Sequence, residues 1–193
     1  MFRLPNDTTP YRIVGIDPGT DTLGIAVVDV DLATHVVSVI DARTLSGSTL
    51  IRGNRRVAEL YGARFTRLQA LEEALGYFLH DFQPHAIISE SPYFNSRQPS
   101  AYGALVEAMS MLKRVVYMYC SSIRLETVDP ASNKANLKVS GKSGDKDLMK
   151  RAVLGLVALS NPHAIDLAQL DEHSIDALTV AWYKAGQLLT WLA

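Results

Sequence analysis

The segment Arg12-Ile13-Val14-Gly15-Ile16-Asp17-Pro18-Gly19-Thr20, followed by Leu23-Gly24-Ile25-Ala26-Val27-Val28, constrains the fold of this chain more than any other. It predicts a buried strand that ends on a carboxylate, reverses in a tight turn and returns as a second apolar strand. Pro18 fixes φ for the turn, and Gly19 is expected to allow a positive φ. A carboxylate at the end of a core strand is costly to bury unless a cation sits against it. Asp17 is therefore the first candidate for chemistry, although Asp-Pro-Gly is also an ordinary hairpin turn whose Asp caps its own backbone.

Strand signals continue at 35–43, 86–90 and 123–128, and the segment 86–90 (Ala86-Ile87-Ile88-Ser89-Glu90) again ends on an acid. Between them, apolar residues at three- and four-residue steps predict helices at 55–81 and 100–119. Two more helices are expected at 145–160 and 171–186, after a lysine-rich loop at 129–144. The order β-β-β-α-β-α-β-α-α implies an α/β domain, with one mixed sheet covered by helices. A length of 193 residues fits a single domain over 1–193, with 1–10 read as a flexible N-terminal segment. Helix 100–119 is apolar on more than one face, which suits either deep burial or a shared surface with a partner.

The last helix begins Asp171-Glu172-His173-Ser174-Ile175-Asp176, where His173 and Asp176 share a face beside the core stripe Ile175, Leu178, Thr179 and Trp182. If the strands ending at Asp17 and Glu90 are parallel neighbours, their carboxyl ends meet, and α/β sheets place sites outside those ends. Gathered carboxylates repel unless a cation neutralises them, and hard oxygen donors suit Mg2+ or Mn2+. Each residue also has a structural reading. Glu90 could cap the Ser91-Pro92 turn, Asp171 or Glu172 could complement the helix dipole, and His173 could be a satisfied structural histidine.

The chain carries a net charge of −1, which alone argues against a polyanion partner, but its charges are segregated. Lys134, Lys138, Lys142, Lys146, Lys150 and Arg151 meet only Asp145 and Asp147, while Arg52, Arg55, Arg56, Arg64 and Arg67 meet only Glu59. Such clusters are either solvated loops or a footprint for nucleic acid. The single cysteine, Cys120, excludes an intramolecular disulfide framework and reads as a buried structural thiol. No apolar run approaches the roughly 20 residues of a membrane span. The start Met1-Phe2-Arg3-Leu4 lacks the apolar core of a secretory signal, so a cytoplasmic protein without membrane contact is expected.

Three segments, in order, resemble the active-site motifs of the RuvC family of Holliday-junction resolvases: Gly15-Ile16-Asp17-Pro18-Gly19-Thr20 with Leu23-Gly24; Ile88-Ser89-Glu90-Ser91-Pro92-Tyr93; and His173-Ser174-Ile175-Asp176-Ala177-Leu178-Thr179-Val180-Ala181. The basic loop is similar too, with Pro130, then Lys134 or Lys138, Val139-Ser140-Gly141 and Asp145-Lys146. The resemblance implies a ribonuclease-H-like fold with a mixed five-stranded sheet. It also implies a homodimeric, metal-dependent endonuclease that nicks two strands of a four-way DNA junction, leaving a 5′-phosphate and a 3′-hydroxyl. Asp17, Glu90, His173 and Asp176 would be the catalytic metal ligands, for Mg2+ or Mn2+ and two ions per site, with no small-molecule cofactor. Tyr93, or else Phe94, would stack on a base, and Lys134, Lys138, Lys142 and Lys146 would contact DNA phosphates. The protein would then work at the nucleoid, or in a host-cell cytoplasm if virus-encoded. The segment from Arg43 to Gln69 is longer and richer in arginine than the resemblance leads one to expect, so it is expected to contact DNA in its own way. Another ribonuclease-H-like nuclease, a sugar-kinase-like ATPase and a non-catalytic junction binder are the alternative readings.

Overall fold

The computed structural model describes residues 10–53, 55–92, 99–139, 147–156 and 159–192. Residues 1–9 of the expected N-terminal segment lie outside that set. Strands β1 (Tyr11–Asp17), β2 (Thr22–Val30) and β3 (Val37–Ser46) form the antiparallel meander read from the sequence. Beyond it, β4 (Ala86–Glu90) pairs parallel with β1, and β5 (Leu125–Val128) pairs parallel with β4. A sixth strand, β6 (Leu159–Ser160), adds two residues to the edge beside β3, giving the order β5-β4-β1-β2-β3-β6. The five expected strands are thus present, and the sheet is one short strand wider than expected.

Period-2 alternation sorts the strand residues into two cores. Val14, Ile16, Leu23, Ile25 and Val27 face α3 (Ala63–Phe82) and α4 (Pro99–Tyr119), where Leu71, Leu75, Leu79 and Leu112 are fully buried. Ile13, Ala26, Val28 and Ile88 face the other way, onto Ile175, Leu178 and Ala181 of α7 (Glu172–Leu192). A strand buried on both faces must be apolar throughout, which is why 13–16 and 23–28 read as continuous runs. One charged pair is admitted: Arg12 forks onto Asp29 through Nε (2.7 Å) and Nη2 (2.8 Å) and donates Nη1 to the Phe82 carbonyl (2.9 Å). That fork fastens β1 and β2 to the end of α3. No helix among the described residues is long and apolar enough to cross a membrane.

Several local expectations are corrected. The helix expected at 55–81 is two, α2 (Arg55–Tyr61) and α3, parted at Gly62, whose φ of +87° leaves the helical region. Gly19, expected at positive φ, is not there. A Cβ on it would stand 2.3 Å from the Thr22 carbonyl, so close approach within the turn demands the glycine. A short helix, α1 (Gly47–Leu50), follows β3. The lysine-rich stretch contains a helix, α5 (Pro130–Asn136), started by Pro130 at its first turn and by Asp129, whose carboxylate accepts from Ser132 N at 2.9 Å. The helix expected at 145–160 is α6 (Asp147–Leu154), after which the chain reaches β6. Helix α4 buries Ala108, Met109, Met111, Leu112, Val115 and Val116 but leaves Val106, Tyr117 and Met118 exposed. Cys120 is half-buried, not buried.

Candidate active site

Asp17 and Glu90 are the last residues of β1 and β4. Those strands pair in parallel with Ile16 opposite Ser89, so the two acids project side by side from the sheet's carboxyl edge. The third motif reaches them because α7 lies directly on β1 and β2 with no side chain between. A Cβ on Gly15 would stand 2.2 Å from the Ala177 carbonyl, and one on Gly24 would stand 2.1 Å from the His173 carbonyl. These two glycines, in the motif that opens the chain's logic, set the depth at which the helix docks.

At that depth His173 Nδ1 lies 2.7 Å from Asp17 Oδ2, and its Nε2 lies 3.0 Å from the Thr22 hydroxyl. Both ring nitrogens are therefore engaged, and the imidazole is fixed in orientation. The Asp17 hydrogen bond raises the His173 pKa above its ordinary value against the opposing effect of burial. Asp171 resolves to the structural reading. It is the N-cap of α7, accepting from Ser174 N (2.8 Å), Ser174 Oγ (2.7 Å) and Thr44 Oγ1 (2.6 Å). The β1–β2 turn is held from outside by Asp21, which accepts from Ser48 N at 2.9 Å and faces Arg67 Nε at 3.5 Å.

The electrostatics of the remaining acids are unusual. Burial, then the charges of Asp17 and Asp176, push Glu90 up to about 7, against the pull of Lys134 and an Asn133 hydrogen bond. Burial and Asp17 push Asp176 up to about 6, with His173 and Lys134 opposing. Three carboxylates and an imidazole thus face one shared space and destabilise one another's charged forms. That pattern fits a divalent cation, which would supply the missing positive charge. Among the described residues, no three such side chains close tightly enough to enclose an ion while His173 is bonded to Asp17.

These shifts have a sign. Glu90 and Asp176 hold protons more tightly folded than unfolded, so their contribution to stability falls as pH rises from the ordinary carboxylate range to about 7 and about 6 respectively. His173 acts in the same sense, its stabilisation being lost as pH climbs through the raised value. His85, lowered chiefly by burial, acts in the opposite sense and is cancelled by comparison with a variant. Without divalent ions, Glu90→Gln is expected to match the wild type at about pH 4, below the ordinary carboxylate value, and to melt higher at pH 8, by about 5 °C or more. Thermal melts in EDTA check this, and a Glu90→Gln protein less stable than wild type at pH 8 contradicts it.

Of the residues expected from sequence, Asp17, Glu90, His173 and Asp176 come together. Lys134 is exposed yet close enough to bias both Glu90 and Asp176. Lys138, two residues past the end of α5, is left-handed (φ +56°) and exposed to solvent. Tyr93, Phe94, Lys142 and Lys146 lie outside the described residues. Sequence reasoning missed Thr22 and Asn133 as site residues. Thr22 directly follows the turn and Asn133 directly precedes Lys134, which are the only signals that pointed to them.

No protein-family model matches the chain. It is 28% identical over 172 residues to the crossover junction endodeoxyribonuclease RuvC of Synechocystis sp., covering 88% of this chain and 88% of that protein. Among solved structures, it resembles Thermus thermophilus RuvC in complex with Holliday junction substrate (TM-score 0.66, 19% identity, 92% of this chain and 97% of that one). It also resembles the yeast mitochondrial Holliday junction resolvase Ydc2 (TM-score 0.64, 18% identity, 95% and 82%). A third likeness is to the Fowlpox virus resolvase in complex with Holliday junction DNA (TM-score 0.56, 12% identity, 92% and 99%). The fold brings the acids of the three motif segments to one edge of the sheet, and over most of its length the chain is similar to RuvC and to other Holliday junction resolvases.

Proposed function

We propose that this protein is a divalent-metal-dependent endonuclease that, as a homodimer, resolves four-way DNA junctions by paired symmetric nicks. The observation that carries the reading is the convergence of Asp17, Glu90, His173 and Asp176, from three separate segments, at one strand edge, with Glu90 and Asp176 pushed up by burial and then by neighbouring carboxylates. The curated relative is named for crossover-junction cleavage, and two structural neighbours hold junction DNA. We read residues 1–193 as one nuclease domain acting where DNA is accessible, in a nucleoid or a host cytoplasm.

Asp17, Glu90, His173 and Asp176 would hold Mg2+, or Mn2+ in its place, two ions to a site. When bound, such ions lower the pKa of water and stabilise the departing 3′ oxygen. The chain's own groups do the rest. Asp17 holds the imidazole through Nδ1 and Thr22 holds its far nitrogen, so His173 would exchange one of these bonds for a cation. Lys134, beside the acids, would neutralise a phosphate near the site, and contacts of Lys138, Lys142 and Lys146 to further phosphates would make affinity steeply salt-dependent. The exposed apolar residues Val106, Tyr117 and Met118 of α4 offer surface for the second subunit.

The test is a substrate panel with Mg2+: a synthetic four-way junction, a flap and an RNA–DNA hybrid. Paired nicks at symmetric positions on the junction are expected, with little cutting of the others. Equal cleavage of flap or hybrid would replace this reading with that of a broader ribonuclease-H-like nuclease.

A further inference from the structure

Asn133 is 1% exposed, and its amide oxygen is buried with no hydrogen-bond partner. Leaving a buried acceptor unpaired costs about 1–3 kcal/mol, so the group needs a reason. Its neighbours supply one. The Thr179 hydroxyl has a single hydrogen and gives it to the Asp176 carbonyl at 2.7 Å. Thr179 must therefore accept from Asn133, and the 2.9 Å contact is made by Nδ2. An Asn133 hydrogen bond is also among the influences that hold the Glu90 pKa down. Turning the amide over would not pair the oxygen with Thr179, whose single hydrogen is already given to Asp176. The orphaned oxygen is the consequence of aiming the N–H end of the amide at Thr179 on α7, beside Glu90 on β4.

We propose that Asn133 is a positioning residue whose amide nitrogen bridges Glu90 and Thr179, fixing the gap between Glu90 and the Asp176 turn of α7 so that both carboxylates present to the same cation. The inference rests on the reading of this site as a divalent-cation centre. It assigns α5 a task beyond carrying Lys134: its buried side spans the two halves of the acid cluster while its exposed side faces the substrate.

The test compares wild type with Asn133→Leu, which is of similar volume and has no orphan acceptor. Thermal melts in EDTA report folding, and calorimetric titration with MnCl2 alone reports the site. Asn133→Leu is expected to melt at or above wild type, because the unpaired oxygen is gone and Thr179 keeps its bond to Asp176. Its Mn2+ affinity is expected to fall tenfold or more, the usual consequence of removing a group that orients a ligand. Thr179→Val, which removes only the anchor, should weaken Mn2+ binding in the same direction. A variant that loses stability yet binds Mn2+ as wild type does makes Asn133 purely structural and overturns the proposal. A wild type that binds no Mn2+ overturns the cation-centre reading and the proposal with it.

Discussion

Asp17→Asn is expected to abolish junction cleavage, with single-turnover rates falling about 10³-fold or more. The loss should exceed that of any other single change because Asp17 is the one acid that influences every other member of the cluster. It bonds His173 directly and raises both Glu90 and Asp176 through its charge. The amide is the same size, so folding should be preserved. Two buried repulsions are relieved, and the ion-free variant should melt at or slightly above wild type. Junction binding should persist, since the basic residues are untouched. Quench assays on a four-way junction, paired with melts and gel-shift titrations, separate these effects. Cleavage within tenfold of wild type, by a folded variant in Mg2+, would remove Asp17 from the chemistry.

Gly24→Ala is expected to produce the second large effect, by a different route. The added methyl would meet the His173 carbonyl carbon and oxygen, backbone atoms that cannot swing aside. Overpacking of this kind costs about 1–3 kcal/mol, and the only relief is for the first turn of α7 to lift from β2. Lifting by even part of an ångström separates His173 from Asp17. Cleavage should therefore fall by more than the folded fraction does, and the melting temperature should drop by about 3–10 °C. Gly76→Ala in α3, where the added methyl would meet nothing within 4 Å, is the matched control and should be neutral or stabilising by about 0.5–1 kcal/mol. Equal cleavage by Gly24→Ala and the control would mean that the depth of α7 does not matter.

How much was legible beforehand follows from what each signal depends on. The bounds of β1 and β4 agree with the sequence reading because strands buried on both faces are apolar throughout and stop at an acid followed by a turn. The four acid-site residues were legible because strand ends and a helix start are local features, and the RuvC resemblance set them in order. The break at Gly62 was not, since an amphipathic stripe runs through it and only the backbone angle records the interruption. Helix α5 was hidden inside a lysine-rich stretch, although Asp129-Pro130 is a start signal that could have been read. The bonds of Thr22 to His173 and of Asn133 to Thr179 join residues 151 and 46 positions apart, and no local pattern encodes them.

Helix α7 is both the lid of one core and the carrier of His173 and Asp176. An insertion or deletion of one residue between His173 and Ile175 would turn His173 by about 100° relative to the buried stripe and to Asp176. The molecule can absorb the change only by losing either its packing or its acid cluster. Length is therefore constrained where this helix begins and free in the connections between elements. Across descendants of this chain, gaps should collect in the connections between elements, while the spacing from His173 to Ala181 stays a fixed ruler.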